Sequence, residues 1–120
     1  MNVYDCAHQL ARALKTSDEY LSFKKSREEI LKNPKLKEMI EDFQKKQIKI
    51  QGLRLTGKEI EESQLQQIQK LYEILMKDPT ANEYFQAEMR FSRLMNDIHK
   101  IISEAVPIES FSEDDQSSSA

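Results

Sequence analysis

The stretch DPTANEYFQAEMRFSRLMNDIHKIISEAV, residues 78–106, has the pattern of one long amphipathic helix. Asp78 can cap its start, and Pro79 suits the first helical position because the N–H that proline lacks would have no partner there. Pro107 ends it. At a rise of 1.5 Å per residue, about 28 residues form a rod of roughly 42 Å. So short a chain cannot cover such a rod completely, and the pattern therefore predicts a helical interaction module.

Apolar residues in this segment recur at seven-residue spacing. Such a heptad pattern places them along one side of a helix and is typical of helix pairs. The members of this seam are Tyr84, Phe91, Ile98 and Ala105, with Ala87, Met95 and Ile102 at the half-steps.

A second long helix is predicted from Asn33-Pro34 to about Leu55, with the same capping chemistry at its start. Thr56-Gly57 supplies its end, since glycine accepts the left-handed backbone that closes a helix. Its heptad seam consists of Leu36, Phe43 and Ile50, with Ile40, Gln47 and Leu53 between them.

Three further helices complete the prediction. They cover about 3–15, about 16–32 and about 59–77. Thr16 with Glu19 has the spacing of a capping box at the start of the second, and a short link or a kink at 16–17 fits equally well. We therefore predict an all-α fold, an antiparallel bundle of about five helices, two of them long and heptad-patterned. One helical domain should span 1–106, and the acidic, serine-rich tail 107–120 should be disordered.

Composition and charge favour binding through surfaces. Hydrophobic residues make up 38% of the chain and charged residues 32%, a balance that suits amphipathic helices with broad solvated faces. A domain this small buries a modest share of its surface alone, so dimerisation is an easy route to stability.

Residues 24–58 carry eleven basic and five acidic residues, a surplus of six positive charges. Such a strip can attract RNA, an anionic membrane or an acidic partner protein. A solvated helix face explains it more simply, because the Lys-Lys pairs lack interleaved aromatic residues on which single-stranded bases stack. The candidate patch consists of Lys45, Lys46, Lys49 and Arg54.

The sequence offers little for catalysis or for cofactor binding. His8 and His99 lack the spacing of a metal-ligand pair, and the lone Cys6 excludes both an intramolecular disulfide and a cysteine-built zinc site. Adjacent carboxylates such as Glu28-Glu29 diverge around a helix. We therefore predict a protein that is not an enzyme and holds no metal or cofactor. The absence of a signal peptide and of a long apolar run predicts a soluble, cytoplasmic chain with no membrane insertion.

Two segments carry a family resemblance. Gly57-Lys58-Glu59-Ile60 lies between two helices, and residues 84–98 read YFQAEMRFSRLMNDI. Together with the opening Val3-Tyr4-Asp5, they resemble the YlbF/YmcA family of small bacterial helical proteins, including its YheA-like branch. The resemblance covers about 3–103.

The resemblance implies an all-helical protein that self-associates through its long helices and has a non-enzymatic regulatory role in bacteria. Relatives support competence, sporulation and biofilm formation, and act with partner proteins on messenger RNA processing by a membrane-anchored ribonuclease. Some relatives have a cysteine-bearing C-terminal tail linked to iron–sulfur binding. The tail of this chain has no cysteine, so no cluster is expected.

These observations predict a homodimer, or a higher homo-oligomer, that acts as a regulatory adaptor through helix-mediated contact with a protein partner. The alternatives are an RNA-binding module that uses the basic region 24–58 and a holdase-like coiled-coil chaperone; nucleic acid is the less favoured partner. The residues expected to divide between core and dimer interface are Phe43, Ile50, Tyr84, Phe91, Met95, Ile98 and Ile102.

Overall fold

The computed structural model describes residues 1–108, and these form five α-helices with no strand among them. The all-α prediction is therefore confirmed, while the predicted disorder of the tail falls mostly on 109–120, outside the described residues. The helices are α1 (Val3–Lys15), α2 (Asp18–Leu31), α3 (Pro34–Leu55), α4 (Glu62–Lys77) and α5 (Pro79–Ala105).

The two proline-started helices begin where their capping residues predict. The Oδ1 atom of Asn33 accepts a hydrogen bond from the backbone N–H of Leu36 at 3.1 Å. Likewise, Oδ1 of Asp78 accepts from the N–H groups of Thr80 and Ala81 at 2.9 and 3.0 Å. Each carboxyl or amide oxygen thus satisfies backbone donors that the first helical turn leaves without a partner.

Two predicted helix starts are wrong, one by a single residue and the other by about three. Ser17, one residue after the predicted cap, begins α2, because its hydroxyl accepts from Tyr20 N at 3.1 Å. The hydroxyls of Thr16 and Ser17 both also donate back to carbonyls of α1. The backbone of Ser17 is extended, with ψ of 149°, whereas Thr16 has ψ of 5° and ends α1. Helix α4 begins at Glu62 and not near 59; the N–H of Glu61 donates to Oε1 of Gln64 at 3.0 Å.

Helices α2 and α5 pack antiparallel and form the most extensive helix pair. The Tyr20 ring lies 5.4 Å from that of Phe91, and the Phe23 ring lies 5.7 Å from that of Tyr84. The later residue of α2 thus contacts the earlier residue of α5, as in two helices that run in opposite directions. Small side chains are buried on these helices, Ser26 on α2 and Ala87 on α5. Small residues at such positions let helix backbones approach closely.

Helices α3 and α4 form a hairpin, closed at Gly57, whose φ of +73° is a conformation that glycine adopts without strain. Phe43 joins this hairpin to α5: its ring lies 5.9 Å from that of Tyr72 on α4 and 5.7 Å from that of Phe85 on α5. The buried core cluster consists of Ile30, Leu36, Ile40, Phe43, Leu75, Ala81 and Tyr84.

The assembled helices are flat and extended. The principal extents are 48 × 40 × 17 Å and the radius of gyration is 19.1 Å, against about 14 Å for a compact domain of this length. Helix α1 contains no buried residue, although it is strongly amphipathic. Much apolar surface therefore stays exposed in a single chain.

Candidate interaction surfaces

The seven residues predicted for core or interface separate into two groups. Phe43, Ile50 and Tyr84 are buried within the single chain, with exposed fractions of 5%, 7% and 9%. Phe91 is half-buried, and its ring stacks on that of Phe23 at 5.6 Å. These four residues hold the monomer together, which spacing along the sequence alone did not reveal.

The other three members lie on the last turns of α5, where the chain offers less cover. Met95 and Ile98 are half-buried, whereas Ile102 is 51% exposed. Neighbouring Ile101 and Val106 are 67% and 64% exposed. We name the apolar side chains of residues 95–106 the α5 end; at this spacing they form a continuous strip along one side of the helix.

Three of the four predicted basic residues meet in one shallow depression between α3 and α4, of about 310 Å³. Lys45, Lys46 and Lys49 line it together with Asp42, while Arg54 is not part of its lining. Nζ of Lys46 lies 2.7 Å from Oδ1 of Asp42 and is thus already paired. The depression has mixed charge, which is a poor match for a run of phosphates.

A second surface was missed in the sequence. An open groove of about 760 Å³ lies between α3 and α5, with α4 at its floor. Three exposed apolar side chains from three helices, Ile48, Tyr72 and Met89, converge on it, with exposed fractions of 68%, 44% and 60%. Its full lining is Phe43, Gln44, Gln47, Ile48, Gln51, Tyr72, Met76, Asn82, Phe85, Gln86, Glu88, Met89 and Ser92. We name it the glutamine groove.

The only sequence signal for this groove is the glutamine spacing on α3. Gln44, Gln47 and Gln51 stand at i, i+3 and i+7 and so share one side of the helix. A polar but uncharged side, on a helix otherwise rich in lysine, indicates a surface that differs from an ordinary solvated face.

Glu88 carries the one formal charge on the groove lining. Burial raises the pKa of its carboxyl above the usual 4.5. Burial, and then the negative charge of Glu88, also raise the pKa of the neighbouring Tyr84 phenol. Within residues 1–108, Glu88 has no ion-pair partner. An unpaired carboxylate therefore lies half-buried beside apolar side chains.

This environment predicts the sign of a pH effect. Because the folded pKa of Glu88 is raised, its contribution to stability is present below the ordinary pKa and is lost as pH rises through the folded value. We expect Glu88→Gln to raise the free energy of unfolding near neutral pH, within about 0.5 kcal/mol, as is usual for side chains that still meet water. The gain should vanish below about pH 4, as measured by urea unfolding at both pH values.

Glu41→Gln is the matched control with the opposite sign. A hydrogen bond from Lys37 at 2.9 Å, and then its positive charge, lower the pKa of the Glu41 carboxyl. Its contribution is therefore present at neutral pH and is lost on acidification. If both variants shifted stability in the same direction at neutral pH, the assignment of Glu88 to a desolvating site would be wrong.

The described residues contain no cluster of three or more His, Cys, Asp or Glu side chains that could hold a metal ion. Cys6 is a free thiol of intermediate exposure. Within 1–108, no helix combines the length and apolar character needed to cross a membrane.

Comparison with known proteins agrees with this architecture. The chain is 44% identical over 108 residues to a UPF0342 protein of Caldicellulosiruptor saccharolyticus, covering 90% of each chain. It is also 44% identical over 107 residues to one of Symbiobacterium thermophilum, covering 89% of this chain and 96% of that one. A solved structure, a protein of unknown function (DUF964) from Bacillus stearothermophilus, shares the fold with a TM-score of 0.75 at 16% identity. That match covers 87% of this chain and 91% of the other.

A family model described as "Control of competence regulator ComK, YlbF/YmcA" matches residues 3–107, which include all five helices. The resemblance inferred from the sequence is therefore confirmed. The chain belongs to the YlbF/YmcA family.

Proposed function

We propose that this protein is a non-enzymatic regulatory adaptor that works as a homodimer and binds partner proteins through its helices. The observation that carries the proposal is the exposed apolar strip of the α5 end. Ile101, Ile102 and Val106 are each more than half exposed in one chain. Continuous apolar patches of this kind mark sites of protein association.

The surface is large enough for such a dimer. A typical stable interface takes about 800 Å² from each partner, which is less than a tenth of the 9625 Å² that the chain exposes. At about 25 cal/mol per Å² of apolar area, burial of isoleucine and valine side chains can offset the entropy lost on association. Amphipathic α1, which buries no residue in one chain, offers further apolar area.

The family description supports the regulatory part of the proposal, since it names control of the competence regulator ComK. A regulator without chemistry of its own must act by contact. Dimerisation through the α5 end leaves the glutamine groove, on the α3 side of α5, available for a second protein. The two surfaces together suit an adaptor.

Ile102→Asp tests the dimer. Placing a carboxylate in an apolar interface should weaken self-association by at least about 30-fold, the effect expected of a central interface residue. The fold should survive, because Ile102 is 51% exposed in the single chain. Sedimentation equilibrium over a dilution series measures the association constant.

Asn96→Asp is the matched control. It adds the same charge on the same helix at an exposed position, nearly opposite Ile98 around the axis. This variant should associate like the wild type. A folded Ile102→Asp protein that associates as tightly as Asn96→Asp would remove the α5 end as the interface.

A further inference from the structure

The glutamine groove is long enough to hold a short helix. On α5 its lining runs from Asn82 to Ser92, and on α3 from Phe43 to Gln51. At 1.5 Å per residue these walls extend about 15 Å and about 12 Å, which is two to three helical turns. The floor is aromatic, and Met76 and Met89 add flexible side chains that adapt to different shapes.

The construction of the groove favours a helix over other ligands. Its walls are helices, whose backbone groups are already paired, so an extended peptide would find no main-chain partners of the kind that a sheet edge offers. A docked helix satisfies its own backbone. A small molecule would stay largely in water here, because Ile48 and Met89 are 68% and 60% exposed, whereas ligand pockets usually enclose most of their ligand.

The charges of the groove lining indicate which charge a bound helix should carry. Every groove residue other than Glu88 is formally neutral, and five of them are side-chain amides: Gln44, Gln47, Gln51, Asn82 and Gln86. A phosphate-bearing ligand would meet a carboxylate and no cation. An ammonium or guanidinium group would instead supply the half-buried Glu88 with the partner that the described part of the chain lacks.

We propose that the glutamine groove binds an amphipathic helix of another protein, with apolar side chains at i, i+4 and i+7 on the aromatic floor and a lysine or arginine directed at Glu88. This assignment deepens the adaptor function and rests on it. The surrounding glutamines hydrogen-bond the polar edges of the docked helix and set its register, while the methionines accommodate more than one apolar sequence.

Two synthetic peptides test whether a positive charge on the helix favours binding to the groove. Both are alanine-based helices with leucine at i, i+4 and i+7. One carries lysine beside the leucines and the other carries glutamate at the same position. With isotope-labelled full-length protein, the lysine peptide should shift the amide resonances of Gln47, Gln51, Met89 and Ser92. It should bind about fivefold more tightly than the glutamate peptide, the scale of a partly exposed ion pair.

Charge reversal then separates a specific contact from general attraction. Glu88→Lys should invert the preference between the two peptides, whereas Glu73→Lys, the same charge change at an exposed site on α4 outside the groove lining, should keep it. Ile48→Gln should weaken both peptides, because it removes an apolar wall residue without adding a charge, and a residue that is 68% exposed can be replaced without loss of fold.

Equal affinity for both peptides, an unchanged preference in Glu88→Lys, or shifts confined to residues outside the groove would each overturn the inference. Groove resonances that move on dilution without peptide would also overturn it, because a second copy would then occupy the groove. Light scattering of the peptide-free protein reports self-association independently. Failure of the dimer proposal and failure of the groove proposal therefore give different experimental results.

Discussion

Phe91→Asp should lower the free energy of unfolding by at least about 3 kcal/mol, since loss of a packed phenylalanine side chain alone costs about 3–5 kcal/mol. The Phe91 ring lies 5.4 Å from that of Tyr20 and 5.6 Å from that of Phe23. A carboxylate there would lie against two aromatic rings of α2 and would lose much of its hydration. Because small domains are stable by about 5–15 kcal/mol, much of the population should unfold or lose the contact between α2 and α5.

Ser92→Asp is the control for this prediction. It places the same charge one residue further along α5, at an exposed position, and should change stability by no more than about 0.5 kcal/mol. Urea unfolding followed by far-UV circular dichroism compares the two variants. A Phe91→Asp protein as stable as Ser92→Asp would contradict the packing of α2 on α5.

Leu75→Ala should be the second most damaging change. Leu75 is completely buried on α4, within the cluster that includes Leu36, Phe43 and Tyr84. Truncating such a leucine removes apolar contacts and leaves a cavity, at a cost of about 2–5 kcal/mol. The loss should appear as a lower urea midpoint with an unchanged slope, because the surface exposed on unfolding stays nearly the same.

The neighbouring residue supplies the comparison. Ile74 is 49% exposed, so Ile74→Ala should cost far less than Leu75→Ala despite the similar size of the deleted group. A similar loss in both variants would mean that α4 packs with a different face toward the core.

Local chemistry explains what could be predicted from the sequence. Asn33 and Asp78 each precede a proline, and such a pair caps a helix with atoms only a few residues apart. The start of α2 was missed by one residue for a related reason. Thr16 and Ser17 both can cap, and both hydroxyls donate back to α1. Ser17 is the cap because its backbone is extended, with ψ of 149° against 5° for Thr16.

The division between core and exposed surface could not be predicted in the same way. Heptad spacing places Tyr84, Phe91, Ile98 and Ala105 on one side of α5, but it does not say how far along that side another helix reaches. Aromatic side chains of α2 cover the first half of α5, around Phe91. Beyond it, Ile102 remains exposed.

The glutamine groove depends on three helices at once. Ile48, Tyr72 and Met89 lie far apart in the sequence, and each alone is an ordinary exposed apolar residue. Their convergence, and the position of Glu88 beside them, follow only from the packing of α3, α4 and α5 around Phe43.

Sedimentation velocity of the wild-type protein over a dilution series tests the central claim, that the exposed apolar surface of one chain is completed by a second copy. We predict a species of twice the chain mass that gives way to the single chain on dilution, in one reversible step. A folded protein that sediments as a single chain at every concentration, up to the highest that can be reached, would contradict it.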